Sequence, residues 1–230
     1  METQASAFFG SLSRSASITR LESYRAGGSY RDALCKYLWN IALCESLYPS
    51  FQVLEVAFRN AAHIEIGTVT FPAIGTTDWL MSDPQFLKDS EKSILTKARE
   101  SVRERRGSVT EHLLVGDLPF GFWTSLLDSR YDAMWPKIIK GVFPHTPRSV
   151  RTRGNRSAKM NAIRKLRNAA LHHHSIWHWS DLQSKHRDMH ELIGWICPAS
   201  ERVAKATDRF PAVFGGGFSA FTPIVDSLPD

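Results

Sequence analysis

The sequence predicts an all-α protein, and three observations carry the prediction. Apolar residues recur at three- and four-residue intervals in one segment after another. No stretch alternates convincingly as a strand does, and glycine or proline punctuates the chain where one such segment gives way to the next. At 230 residues, with 43% AVILMFWYC and 23% charged residues, the chain is long enough for one sizeable core and has an ordinary globular composition.

Residues 1–28 are rich in serine and small side chains and end in Gly27-Gly28, which reads as a loosely held arm with one short helix around Ile18–Tyr24. From Tyr30 to Tyr48, Leu34, Leu38, Ile41 and Leu47 mark the buried face of a helix that Pro49-Ser50 is expected to break. A second helix follows from Ser50 to Ile66, with Leu54, Phe58 and Ala61 or Ala62 inward and Glu55 one turn before Arg59. Gly67 to Asp83 reads as a connection, after which Asp83 caps a long charged helix from Pro84 to Arg106 that Gly107 ends. Short helices around Ser108–Val115 and Phe120–Ser129 flank Gly116-Asp117-Leu118-Pro119, and another spans Tyr131–Lys140. A basic connection, Gly141–Gly154, leads into a helix from Asn155 through Leu171 with Ile163, Leu166 and Ala170 inward. Ser180-Asp181 opens a helix to Ile196, and Pro198 opens a last short one to Phe210. The remainder, with Gly215-Gly216-Gly217, Pro223 and Pro229, lacks a helical period and is expected to fray or drape on the surface. The expected organisation is therefore an arm (1–28), one helical domain (29–210) and a flexible tail (211–230).

No apolar run approaches the roughly 18 to 20 residues of a membrane span, and the start Met1-Glu2-Thr3-Gln4 is unlike a signal peptide. A cytoplasmic protein without a membrane partner is the expectation. Cys35, Cys44 and Cys197 are odd in number and lack C-x-x-C spacing, so they are expected to be reduced and buried, and no metal or other cofactor is expected. The net charge is +6, but it is unevenly placed. Between Arg148 and Arg167 stand eight basic residues and no acidic one; without those eight, the 29 Lys and Arg fall to 21, against 23 Asp and Glu. Arg148, Arg151, Arg153, Arg156, Lys159, Arg164 and Lys165 are accordingly candidate contacts to a polyanion, RNA above all. A solvated loop entering a helix is the other reading of the same run.

The stretch Arg164 to His174 carries the chemistry. On a straight helix Asn168 and His172 lie one turn apart on one face, with Arg167 beside them. An imidazole takes and gives protons near neutral pH, as RNA cleavage by its own 2′-hydroxyl requires. A guanidinium fork suits the charge that builds on the phosphorus oxygens, and an asparagine amide can hold the imidazole or a phosphate oxygen in place. Spacing leaves open which of His172, His173 and His174 serves, and it equally admits histidines that only cap a helix end. Three further features bear on function. Arg59 and His63 offer a further phosphate contact beside the second motif, or else Arg59 pairs with Glu55 and Asn60 ties helices together. Phe120-Gly121-Phe122-Trp123 reads as core packing more readily than as a base-stacking platform. His186 and His190 have zinc-like spacing without the cysteines or second motif of a zinc site, and His190 reads as a packed or partly exposed helix residue.

Leu54-Glu55-Val56-Ala57-Phe58-Arg59-Asn60, Asp117-Leu118-Pro119-Phe120-Gly121-Phe122-Trp123 and Leu166-Arg167-Asn168-Ala169-Ala170-Leu171-His172-His173 follow one another in an order that resembles L-E-x-x-x-R-N, L-x-F-G-F-W and L-R-N-x-x-x-H-H of the Abi-like (abortive infection, AbiD/AbiF type) proteins. The likeness spans Ile18 to Pro198; it departs from the pattern at His174, where members often carry Glu. That family is similar to the HEPN superfamily, helical bundles whose R-x4-6-H motif marks metal-independent RNases that work as dimers. The resemblance implies a HEPN-like bundle with additional helices, with Arg167, Asn168 and His172 as catalytic residues and His173, Arg59 and Asn60 in support. It further implies a homodimer acting in phage defence by RNA cleavage or RNA binding, in some members beside a small antitoxin RNA. Two functions follow as expectations: an endoribonuclease, or a non-catalytic RNA- or partner-binding protein acting by sequestration.

Overall fold

A computed structural model describes residues 2–82, 84–150 and 152–228. Among them are twelve α-helices and no strand, so the expected fold class holds. In chain order the helices are α1 (Glu2–Ala16), α2 (Ile18–Arg25), α3 (Tyr30–Ile74), α4 (Asp89–Arg106), α5 (Glu111–Asp117), α6 (Phe120–Ser125), α7 (Trp135–Val142), α8 (Arg153–Leu171), α9 (Leu182–Ile196), α10 (Pro198–Ala206), α11 (Phe210–Gly216) and α12 (Thr222–Asp226). None of the described helices is long and apolar enough to cross a membrane.

The 45-residue helix α3 overturns the break expected at Pro49-Ser50 and the connection expected from Gly67. A proline inside a helix costs about 3 kcal/mol, because it lacks an N–H and its ring crowds the preceding turn. Here Leu43, Leu47, Phe51, Leu54, Phe58, Ala62 and Ile66 are all buried at three- and four-residue steps. The stripe keeps its phase through Pro49, and burial of each large side chain contributes about 1.5–3 kcal/mol, enough to hold the backbone helical across the missing hydrogen bond.

The chain forms two compact units. One comprises residues 2–49, 168–183 and 207–228. Ala5 and Phe9 of α1, Leu21 and Tyr24 of α2, Leu34 of α3 and Val225 of α12 form its core, with Trp177, Phe218 and Phe221 packed against it. Two expectations fail here. The segment read as a loose arm forms α1 and α2 because Phe9 and Leu21 are core residues. The segment read as a frayed tail forms α11, a short 3-10 turn and α12, with the Val213 carbonyl accepting from the Trp39 indole at 2.9 Å and Arg31 paired with Asp226. Buried Asn40 fastens the loop after α8, its Oδ1 accepting from the backbone N–H of Ile176 and Trp177 at 2.7 and 3.2 Å.

The other unit comprises the described residues of 50–167 together with 184–206. Its core is aromatic: Phe58 stacks on Phe143 at 5.9 Å and Trp79 meets Trp123 edge-on at 6.1 Å. Phe120, Phe122 and Trp123 are buried, as expected of core packing. Helix α4 begins at Asp89 rather than Pro84, and Asp83, the expected cap, lies outside the described residues. Trp79, Leu80 and Leu87 draw the preceding loop inward, where Arg99 donates to the Leu80 carbonyl at 3.1 Å in place of helical partners. Gly67 permits the close approach of that loop to α3, since a Cβ there would lie 2.7 Å from the Thr77 carbonyl oxygen. Of the cysteines, all three are free; Cys35 is buried, whereas Cys44 and Cys197 are only half-buried.

Candidate functional site

Arg167 belongs to the second unit, on the flank of the α8 face that buries Met160, Ile163 and Leu166. Its guanidinium Nη2 donates to Glu55 Oε2 of α3 at 3.3 Å, both side chains being half-buried. Glu55 sits there because its neighbours Leu54 and Phe58 are core residues that fix the rotation of α3. Sequence spacing had offered Arg59 as the partner of Glu55. Instead Arg59 Nη1 donates to the Gly116 carbonyl at 3.3 Å. Asn60, on the same turn of α3, is exposed.

Asn168 and the three histidines belong to the first unit. The His172 N–H donates to the Asn168 carbonyl at 2.9 Å, closing the last turn of α8. His174 N–H then reaches back to the Ala169 carbonyl at 2.8 Å, and His173 N–H to that of Ala170 at 3.2 Å. With His173 at φ 61°, this is a Schellman end, in which the left-handed position is ordinarily glycine. Arg20 of α2, a residue the sequence reading did not single out, donates to the His173 carbonyl. His172, His173 and His174 are all exposed.

The basic segment divides into two kinds of residue. Arg156 is 0% exposed. It lies 5.2 Å from the ring centres of both Phe143 and Trp195 and donates to the carbonyls of Val150 and Thr152 at 2.6 and 2.8 Å. It is an internal strut and not a polyanion contact, because the two aromatic faces and the carbonyls replace the water a guanidinium needs. Lys159 is held by Asp188 and by Glu191, the latter at 2.7 Å. Arg153 pairs with Asp132 and donates to the Leu127 carbonyl at 2.8 Å. Arg156 is thus a correction to the expected RNA-contacting set, while Arg153 and Lys159 are half-buried and already paired with carboxylates. Arg148 and Lys165 are exposed and Arg164 is half-buried, its guanidinium 3.3 Å from Asn161 Oδ1. Arg151 lies outside the described residues.

Elsewhere in the second unit, His190 is buried, its Nε2 3.2 Å from Ser50 Oγ and its ring 4.6 Å from that of His186. That placement agrees with its reading as a packed helix residue.

A second cluster was only half visible in the sequence. His63 Nε2 of α3 lies 3.8 Å from Glu111 Oε2 of α5. Glu111 Oε1 accepts from the Leu80 N–H at 3.2 Å. Burial, and then a hydrogen bond shared with the Asp78 carboxyl, push Glu111 up to about 7. Burial lowers His63 below its ordinary value, so the ring is neutral where a surface histidine would still be partly charged. His63 stood out through its neighbours Arg59 and Asn60, but nothing in the local sequence of Glu111 marks it, because its partners arrive from residues 63, 78 and 80.

No family model, curated protein or solved structure matches the chain.

Proposed function

We propose that the chain is an RNA-acting defence protein, a metal-independent endoribonuclease of the HEPN type that works as a homodimer. The observation that carries the reading is the string Arg167-Asn168-Ala169-Ala170-Leu171-His172 at the end of α8, with His172 exposed where the helix stops. The 2′-oxygen attacks phosphorus, its proton passing to a base. The 5′-oxygen departs with a proton from an acid, leaving a 2′,3′-cyclic phosphate and a 5′-hydroxyl. His172 serves these transfers, and two copies of the chain bring two such histidines to share them. Arg167 stabilises the charge on the non-bridging oxygens, Asn168 orients, and His173, Arg59 and Asn60 stand in support. The anchoring of Arg167 by Glu55 supports this role, since a pre-set guanidinium loses less freedom on meeting phosphate. Arg148, Arg164 and Lys165 supply the backbone contacts.

The deciding experiment incubates purified protein with mixed RNAs in EDTA. Cleavage to 2′,3′-cyclic phosphate ends, lost on His172→Ala and on Arg167→Ala, is expected. Cleavage indifferent to His172→Ala overturns the assignment. Tight, salt-sensitive binding with no cleavage identifies the non-catalytic alternative, an RNA- or partner-binding protein acting by sequestration.

A further inference from the structure

The second unit carries two adjoining depressions, of whose lining residues the nuclease reading uses only Asn60. One, of about 450 Å³, is lined by Asn60, His63 and Ile64 of α3 and Glu111, His112 and Val115 of α5. Its volume lies in the range of about 300–1,000 Å³ typical of small-molecule sites. The other, of about 220 Å³, shares His112 and is lined by Arg105 and Arg106 from the end of α4, with Gly116 and Asp117. The first offers an amide, an imidazole and a carboxyl between the aliphatic walls of Ile64 and Val115. The second is cationic: Asp117 engages Arg105, while Arg106 is exposed.

We propose that the two depressions form one composite site for a nucleoside phosphate, with the base among Asn60, His63 and Glu111 and the phosphate on Arg106 and His112. A nucleobase is flat, uncharged and rimmed with both donors and acceptors. Asn60 supplies one of each, and His63 adds its Nε2, the ring nitrogen that is not sealed inside the fold. Ile64 and Val115 cover the faces of the ring. The adjoining arginine supplies what the phosphate needs. The ligand is either a free nucleotide or one nucleotide of an RNA strand, and the site holds whether or not the chain cleaves RNA.

The test uses the full chain carrying His172→Ala, so cleavage plays no part. Calorimetry compares the four 5′-ribonucleoside monophosphates, their nucleosides and inorganic phosphate. At least one monophosphate should bind about tenfold or more tighter than both its nucleoside and inorganic phosphate. Arg106→Ala should remove that advantage and leave the nucleoside unaffected; Asn60→Ala should weaken the monophosphate about tenfold and change the ranking of bases. Both side chains are exposed, so unchanged melting temperatures show that neither variant is misfolded. A short single-stranded RNA that binds tighter still, with the same two dependences, identifies RNA as the source; equal or weaker binding identifies free nucleotide. Monophosphate no tighter than inorganic phosphate, or binding indifferent to both substitutions, overturns the site. Absence of cleavage by the wild-type chain, with this binding intact, counts against the nuclease alone.

Discussion

Arg167 of α8 donates to Glu55 of α3 across 3.3 Å, joining residues 112 positions apart in sequence. Such a half-exposed pair contributes at most about 1 kcal/mol to stability, so its value lies in aiming the guanidinium. Replacing Glu55 with Gln should therefore lower the melting temperature by no more than about 2–4 °C. Under the nuclease reading, kcat for RNA cleavage should fall about tenfold with KM little changed, because the lost interaction is one made in the transition state. Arg167→Lys should not rescue activity, since an ammonium lacks the planar fork. Steady-state kinetics on the three proteins check this, and an unchanged kcat in Glu55→Gln removes the positioning role.

The basic segment should split in two under mutation. Arg156→Ala deletes a fully buried cation from between Phe143 and Trp195 and strands the Val150 and Thr152 carbonyls. A cost of about 3 kcal/mol is expected, or about 6–12 °C in a protein of this size. Arg148→Ala and Lys165→Ala touch exposed side chains and should leave the melting temperature within about a degree or two. Under the RNA-acting reading, each should instead weaken RNA binding and reduce the slope of log affinity against log salt by about 1. Thermal melts and salt titrations of the same three variants separate the classes.

That split also shows what the sequence could convey. The charge run was plain, but whether an arginine meets water or an aromatic slot depends on Phe143 and Trp195, which arrive from the end of α7 and from α9. Helix class and most helix centres were legible because periodic burial is a local pattern, as at Ile163 and Leu166. Helix ends were less so. Pro49 looked like a stop until the stripe on either side of it proved to be in phase, and Pro84 looked like a start although the buried Trp79, Leu80 and Leu87 hold that segment in loop form. At the N-terminus, Phe9 was too isolated among serines to signal a core residue; its partner Tyr30 lies 21 residues away, with ring centres 5.0 Å apart. The Arg167-Asn168-x-x-x-His172 string was legible as a motif, whereas Glu55 as the arginine's anchor was not, since Arg59, one helical turn away, offered a far nearer partner in sequence.

The three consecutive histidines are structurally distinct. His173 alone occupies a left-handed conformation, at φ 61°, which costs a residue with a Cβ about 1–2 kcal/mol. His173→Gly should therefore stabilise the protein by about 1 kcal/mol, and the Arg20 contact to its backbone carbonyl survives the change. His172→Gly should destabilise by a similar amount, because it loosens the last turn that its N–H closes onto Asn168. Opposite shifts in denaturant midpoint confirm the assignment of His173 to the left-handed position. A loss of stability in both variants contradicts it.

The Glu111 carboxyl sets a pH signature whose sign is fixed by its surroundings. In the folded protein burial and the Asp78 carboxyl raise it from 4.5 to about 7. Between those values the folded state holds a proton that the unfolded chain has released, so raising the pH through this window removes stability, and above it the loss is complete. Lowered His63 acts in the opposite sense below its ordinary value of 6.5, since there the unfolded chain binds the extra proton. The total pH profile therefore mixes the two, but a difference isolates one of them. Glu111→Gln keeps the shape and the acceptor oxygen for the Leu80 N–H while removing the titration. The variant should gain stability relative to wild type as pH rises from about 4.5 to about 7 and hold a constant advantage above that. Denaturant titrations of both proteins at pH 4.5, 6 and 8 measure the difference directly, and a difference that stays flat, or that shrinks with rising pH, shows that Glu111 ionises as an ordinary surface carboxylate.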